Sequence, residues 1–178
     1  VVGPPMTGKR ELLYEVLAAD RGSDRATAFV TTRKAAGTIE PEYRDVHPDV
    51  ATFAVVDCVT RQRGFGRNEE SPTRRLVSSA GDLTGIGIGL TDFMRRFHED
   101  DDLSGASVGM HTLSTLLMYA DVRRVYQFLH VLTGRVESSG FLGGFVLDTP
   151  VPQDSLGIIK QPFDGVVCRW FVRVVRVR

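Results

Sequence analysis

Lysine is scarce: of 22 basic residues, only Lys9, Lys34 and Lys160 are lysine, a bias that reads as coding composition rather than function. Cysteine is scarcer. Cys58 and Cys168 are too few for a disulfide framework or a zinc cluster, and they read as two buried thiols in a reducing, cytoplasmic setting. Net charge is missing altogether, because 22 acidic residues balance the 22 basic ones. No strong global field then draws the chain to DNA, RNA or an anionic membrane. No apolar run approaches the ~20 residues that span a bilayer, so no membrane partner is expected. There is no internal repeat, no visible signal peptide and no initiator methionine. The chain opens in mid-pattern on Val1-Val2-Gly3, and the expectation is truncation at the N-terminus, with any targeting segment upstream.

What remains is ordinary for a soluble globular protein, at 42% hydrophobic and 25% charged residues. A length of 178 residues suffices for one domain with a sizeable core, so residues 1–178 are read as a single domain. Short apolar runs alternate with helical patterns, as in βαβ units. The predicted strands are the stump Val1-Val2, then Ala28–Thr32, Ala51–Asp57, Ala106–His111 and Phe141–Asp148. A terminal β segment follows over Val166–Val177, with Gly165 turning the chain into it. Helical spacing covers Arg10–Ala19, Leu90–His98 and Asp121–Ser139. In the last, Val122, Val125, Leu129, Leu132 and Val136 form one stripe, and Asp121 can cap the start. Arg61–Ala80 is polar and glycine-containing, and reads as a long surface loop.

The strongest motif is Gly3-Pro4-Pro5-Met6-Thr7-Gly8-Lys9-Arg10, which keeps the Walker A spacing through the lysine. Glycines let backbone N–H groups turn toward a phosphate, and the following helix aims its positive end at the anion. Lys9 would add a point charge on the β- and γ-phosphates. The bland alternative is a Gly/Pro turn into a helix. The motif departs at Arg10, where a Ser or Thr hydroxyl would hold Mg²⁺. Arginine is donor-only and permanently charged, so it cannot ligate a cation. It can pair directly with phosphate oxygens, or point to solvent.

Other candidates have a bland reading beside the sharp one. His98-Glu99-Asp100-Asp101-Asp102 is a solvated connector or, more sharply, a carboxylate metal cluster. Arg61, Arg63 and Arg67, interleaved with Phe65, make a small basic and aromatic patch that can suit nucleic acid, but Glu69-Glu70 follow at once and favour a solvated loop. His130 is expected to be partly buried and hydrogen-bonded, His47 and His98 exposed, and Trp170 and Phe171 packed in the core or at an edge.

On these residues the chain resembles the KaiC/GvpD-like branch of the RecA superfamily, especially short divergent KaiC-like proteins of halophilic archaea. The matching segments are Gly3–Lys9, Ala28–Thr32, Asp82–Ile88, His111–Leu117, Phe128–Thr133 and Lys160–Gly165. The resemblance implies a RecA-like P-loop domain: a mostly parallel sheet with helices on both faces and C-terminal antiparallel strands. It implies ATP or ADP at the P-loop residues Gly3, Pro4, Pro5, Met6, Thr7, Gly8, Lys9 and Arg10, and protein partners or self-association into rings. Three positions depart from active members. Arg10 replaces the Mg²⁺-binding hydroxyl, Thr32-Arg33 lie where a pair of glutamates is usual, and His111 falls on the Walker B aspartate. Without that carboxylate a water is not readily activated, and Mg²⁺ loses its anchors. The neutral composition also departs from the acidity usual in halophiles.

Two functions follow as expectations. One is a regulatory or scaffold domain, a pseudo-ATPase that binds nucleotide without efficient hydrolysis. The other is a working ATPase that uses Asp57, which also ends an apolar strand, or a neighbouring subunit. His111 is a weak catalytic candidate or phosphate sensor, and Asp148 reads as a loop or cap residue.

Overall fold

The computed structural model describes residues 1–19, 22–64, 70–100 and 102–169. In chain order the elements are β1 (Val2–Gly3), α1 (Lys9–Leu17), β2 (Arg25–Thr31), α2 (Ala36–Arg44), β3 (Thr52–Asp57), α3 (Thr60–Arg63) and β4 (Arg74–Leu76). There follow α4 (Leu83–Glu99), β5 (Gly105–His111), α5 (Leu113–Leu116), α6 (Val122–Ser138), β6 (Leu142–Asp148) and α7 (Gln153–Ile159). The strands form one sheet in the order β1-β6-β5-β2-β3-β4, and every pairing between named strands is parallel.

Burial on both faces explains why these strands read as apolar runs rather than as clean alternations. Ala26, Ala28 and Val30 of β2 and Ala54 and Val56 of β3 pack on one face, under α4 and α6. Phe29 of β2 and Phe53 and Val55 of β3 pack on the other, under α1 and α2. There the rings of Tyr43 and Phe53 stack with centroids 4.5 Å apart. The α6 stripe behaves as its spacing predicts. Val125, Leu129, Leu132 and Val136 are buried, and the Asp121 carboxylate accepts from the Arg124 N–H at 3.0 Å, a cap that contributes about 1 kcal/mol.

All five strands expected before the terminal segment are present and parallel, but among the described residues the sheet has six. The addition, β4, lies inside the stretch expected to be a loop. It is three residues long and sits at the sheet edge beside β3, too short to give a period in the sequence. Helix α4 starts at Leu83, seven residues before the expected Leu90, because Asp82 caps it by accepting from the Gly85 N–H at 2.8 Å. Helices α2 and α7 were not legible; in α2, Gly37 and Pro41 mask the buried spacing of Ala36, Ile39 and Tyr43. Of the terminal β segment, Val166–Arg169 are described and the rest lies outside the described residues. In the described part Cys168 bridges Val2 in parallel, not antiparallel as expected, with the Val2 N–H donating to Val167 O and the Arg169 N–H to Val2 O, both at 2.8 Å. Cys58 is buried as expected and burial pushes its thiol pKa up, whereas Cys168 is exposed. Among the described residues no helix is long and apolar enough to cross a membrane.

Candidate functional site

The carboxyl ends of β2, β5 and β6 and the loop after β1 meet at one end of the sheet, the place where open α/β sheets carry their ligand sites. The loop runs from Gly3 to Gly8 and feeds straight into α1. Met6 and Gly8 have positive φ, 59° and 71°, the kind of backbone that curls N–H groups around an anion. The N-cap residue Gly8 offers no side chain to the start of α1, and the Glu11 carboxylate, hydrogen-bonded to its own backbone, is the acidic group in that first turn. The loop is also packed from behind. A Cβ on Gly3 would overlap the Arg169 carbonyl oxygen, and one on Gly8 would lie 3.4 Å from the Arg169 guanidinium.

Lys9 is 3% exposed, and its ammonium group is fully engaged. It donates to Pro4 O, to Thr7 Oγ1 at 3.3 Å, and pairs with Asp148 Oδ1 at 2.9 Å. The other oxygen of Asp148 pairs with Arg33 at 3.3 Å. Asp148 sits at the end of β6, between β1 and β5, and its backbone is pinned by Ser114: its N–H donates to Ser114 Oγ at 2.7 Å and its carbonyl accepts from that hydroxyl at 3.1 Å. A second cluster gathers on α2, where Glu42 pairs with Lys34 at 2.6 Å and with Arg10 at 3.4 Å. Arg10 also pairs with Glu11 at 2.9 Å.

These groups line a cavity of about 360 Å³, within the usual range for a small-ligand site. The four cations Lys9, Arg10, Arg33 and Lys34 exceed by one the carboxylates that pair with them, Glu11, Glu42 and Asp148, so the balance at the cavity leans toward an anion. His111 lines it too. Burial pushes its pKa down to about 4, against the raising effect of Asp148, so the imidazole is neutral at pH 7.

The structure therefore brings Thr7, Gly8, Lys9, Arg10 and His111 together, with Met6 on the rim at 94% exposure. It does not bring Asp57 there. That carboxylate is 1% exposed and accepts from the N–H groups of Ala36 (2.7 Å), Val59 (2.7 Å) and Thr60 (2.9 Å) and from the Thr60 hydroxyl (2.7 Å). The reading of Asp148 as a loop or cap residue is corrected, since its side chain faces Lys9. Sequence reasoning missed Asp148, Lys34 and Glu42. The available signal was an apolar strand ending in aspartate, the same signal that drew attention to Asp57.

Other expectations change as well. His47 is buried at 2%, not exposed, and packs edge-on against Tyr43. His130 is exposed, its ring parallel to that of Tyr126 with centroids 6.0 Å apart. His98 is exposed as expected. Of the basic patch, Phe65 and Arg67 lie outside the described residues, as do Trp170 and Phe171. Arg61 pairs with Glu70 at 3.4 Å and donates to the Leu76 carbonyl, so the chain's own acid neutralises part of that patch. Among the described residues no group of histidine, cysteine, aspartate and glutamate side chains is arranged to hold a metal ion.

A family model described as a family of unknown function, DUF7504, matches residues 1–168, and the chain belongs to that family. No curated protein matches the chain.

Proposed function

We propose that this chain is a degenerate RecA-like, KaiC-like P-loop domain whose cavity binds the phosphates of ATP or ADP without efficient hydrolysis. Its role in the cytoplasm is regulatory or scaffolding, exerted through protein partners or self-association. The observation that carries the reading is the buried Lys9, held at the start of α1 and facing a cavity that also presents Arg10, Arg33 and Lys34. A parallel sheet with helices on both faces supports it, since that is the architecture the family resemblance implies.

The same residues do not fit Mg²⁺. Arg10 stands where a hydroxyl would ligate the ion, four side-chain cations surround the place, and Asp148 is committed to two of them. Phosphate charge is instead met by side-chain cations. The neutral His111 supplies no carboxylate to orient water, and Thr32 and Arg33 follow β2 where carboxylates would be needed. Calorimetric titration of ATP and ADP, with and without Mg²⁺, tests this reading. Binding that depends weakly on the metal is the expected result, and absence of binding rejects it.

A second reading, an active ATPase, has one observation in its favour. Asp148 places a carboxylate 2.9 Å from the Lys9 ammonium, which Asp57 does not. A phosphate-release assay separates the two. Turnover at background is expected, and turnover of about 1 s⁻¹ assigns chemistry to Asp148 or to a neighbouring subunit.

A further inference from the structure

We propose that Asp148 decides which anions the cavity accepts, by occupying the place of a phosphate between Lys9 and Arg33. The inference rests on the phosphate-site reading above and deepens it. An ammonium group has three N–H donors, and those of Lys9 are taken by Pro4 O, Thr7 Oγ1 and Asp148 Oδ1. An incoming phosphate must displace one of them. The carbonyl and the hydroxyl belong to the loop itself, so the exchangeable partner is the carboxylate, one anion for another. Arg33 loses the same carboxylate in the same step.

Asp148 has somewhere to go. Its backbone is held by Ser114, and the residue also borders a second cleft of about 510 Å³ lined by Ser114, Asp121 and Ser155. The exchange is costly for a small anion. Inorganic phosphate gains only the cation pair that Asp148 gives up, and then faces the displaced carboxylate. A nucleoside di- or triphosphate reaches further. Its remaining phosphates meet Arg10 and Lys34, which line the same cavity and pair with Glu42 rather than Asp148, each with N–H donors beyond that pair. The cavity is thereby selective for a phosphate chain over a single phosphate, with no metal needed to enforce the choice.

The test is calorimetric titration of inorganic phosphate, pyrophosphate and ATP, in EDTA and again in Mg²⁺, into the wild-type chain and D148N. Asp148→Ser serves as a second variant, and circular dichroism and thermal melting establish that each protein is folded. Removing the charge should tighten inorganic phosphate by about tenfold or more, while ATP gains less, so the preference for the chain shrinks. Phosphate binding no tighter in both folded variants than in the wild type, with wild-type ATP binding intact, overturns the inference and leaves the phosphate site standing. A Mg²⁺-dependent ATP affinity that the variants lose also overturns it, because Asp148 then holds a metal. If none of the folded proteins binds any of the three anions, the phosphate site itself is rejected and the inference falls with it.

Discussion

Asp57 and Asp148 end two parallel strands of one sheet, each after an apolar run, yet their surroundings give them opposite work. Asp57 is met by three backbone N–H groups and a hydroxyl from its own neighbourhood, and it fastens the starts of α2 and α3 to β3. Asp148 is met by two side-chain cations from distant parts of the chain, Lys9 and Arg33. Backbone donors are part of the fold and cannot leave, so a carboxylate among them is structural. Side-chain cations can exchange one anion for another, so under the function proposed above the carboxylate among them marks a binding place. Strand-end aspartates are thus sorted by the donors that hold them.

The largest effect should come from an isosteric pair. Asp57→Asn turns an amide donor toward buried N–H groups and should cost about 3 kcal/mol in chemical denaturation. Asp148→Asn keeps an acceptor for the buried Lys9 beside a cavity that water can enter, and should cost less, about 1–2 kcal/mol. Equal losses would erase the contrast.

Next in size is acid sensitivity at the Asp148 end. The His111 pKa lies near 4 in the folded chain against 6.5 ordinarily, so between those values the unfolded chain binds the extra proton. Stability from this group is therefore complete above pH 6.5 and falls as the pH drops toward 4, by up to about 3 kcal/mol. Denaturation curves across that window should steepen in the wild type and flatten in His111→Asn. A wild-type profile no steeper than the variant's would place the imidazole in a wetter setting.

How much of this was legible follows from what each residue's signal depends on. The apolar runs that became β2, β3, β5 and β6 announce themselves because a strand buried on both faces needs them. Lys9 was legible because loop spacing is local. The start of α4 was hidden by Gly85, Gly87 and Gly89, and α2 by Gly37 and Pro41, since these residues weaken helical propensity while tertiary packing overrides it. Asp148 was hidden for a different reason. Its importance comes from β6 lying beside β1, and strand adjacency across some 140 residues leaves no mark on local sequence. Glu42 and Lys34 were hidden likewise, because their meeting with Arg10 is a product of the fold.

The smallest expected effect concerns the metal. Replacing Arg10 by Thr restores a hydroxyl and removes a cation, and ATP affinity should then improve a few-fold when Mg²⁺ is added, a change of about 1 kcal/mol. No gain in metal dependence would mean that Arg10 is not what keeps Mg²⁺ from the Asp148 end.

The Lys9–Asp148 end of the sheet, proposed above as a phosphate site, can be tested directly. The most direct measurement is calorimetric titration of ATP, in EDTA, into the wild-type chain and into Lys9→Ala, with both shown to be folded. Saturable binding by the wild type that weakens by about tenfold or more in Lys9→Ala is the expected result. Equal binding by the two, or none by the folded wild type, would contradict it.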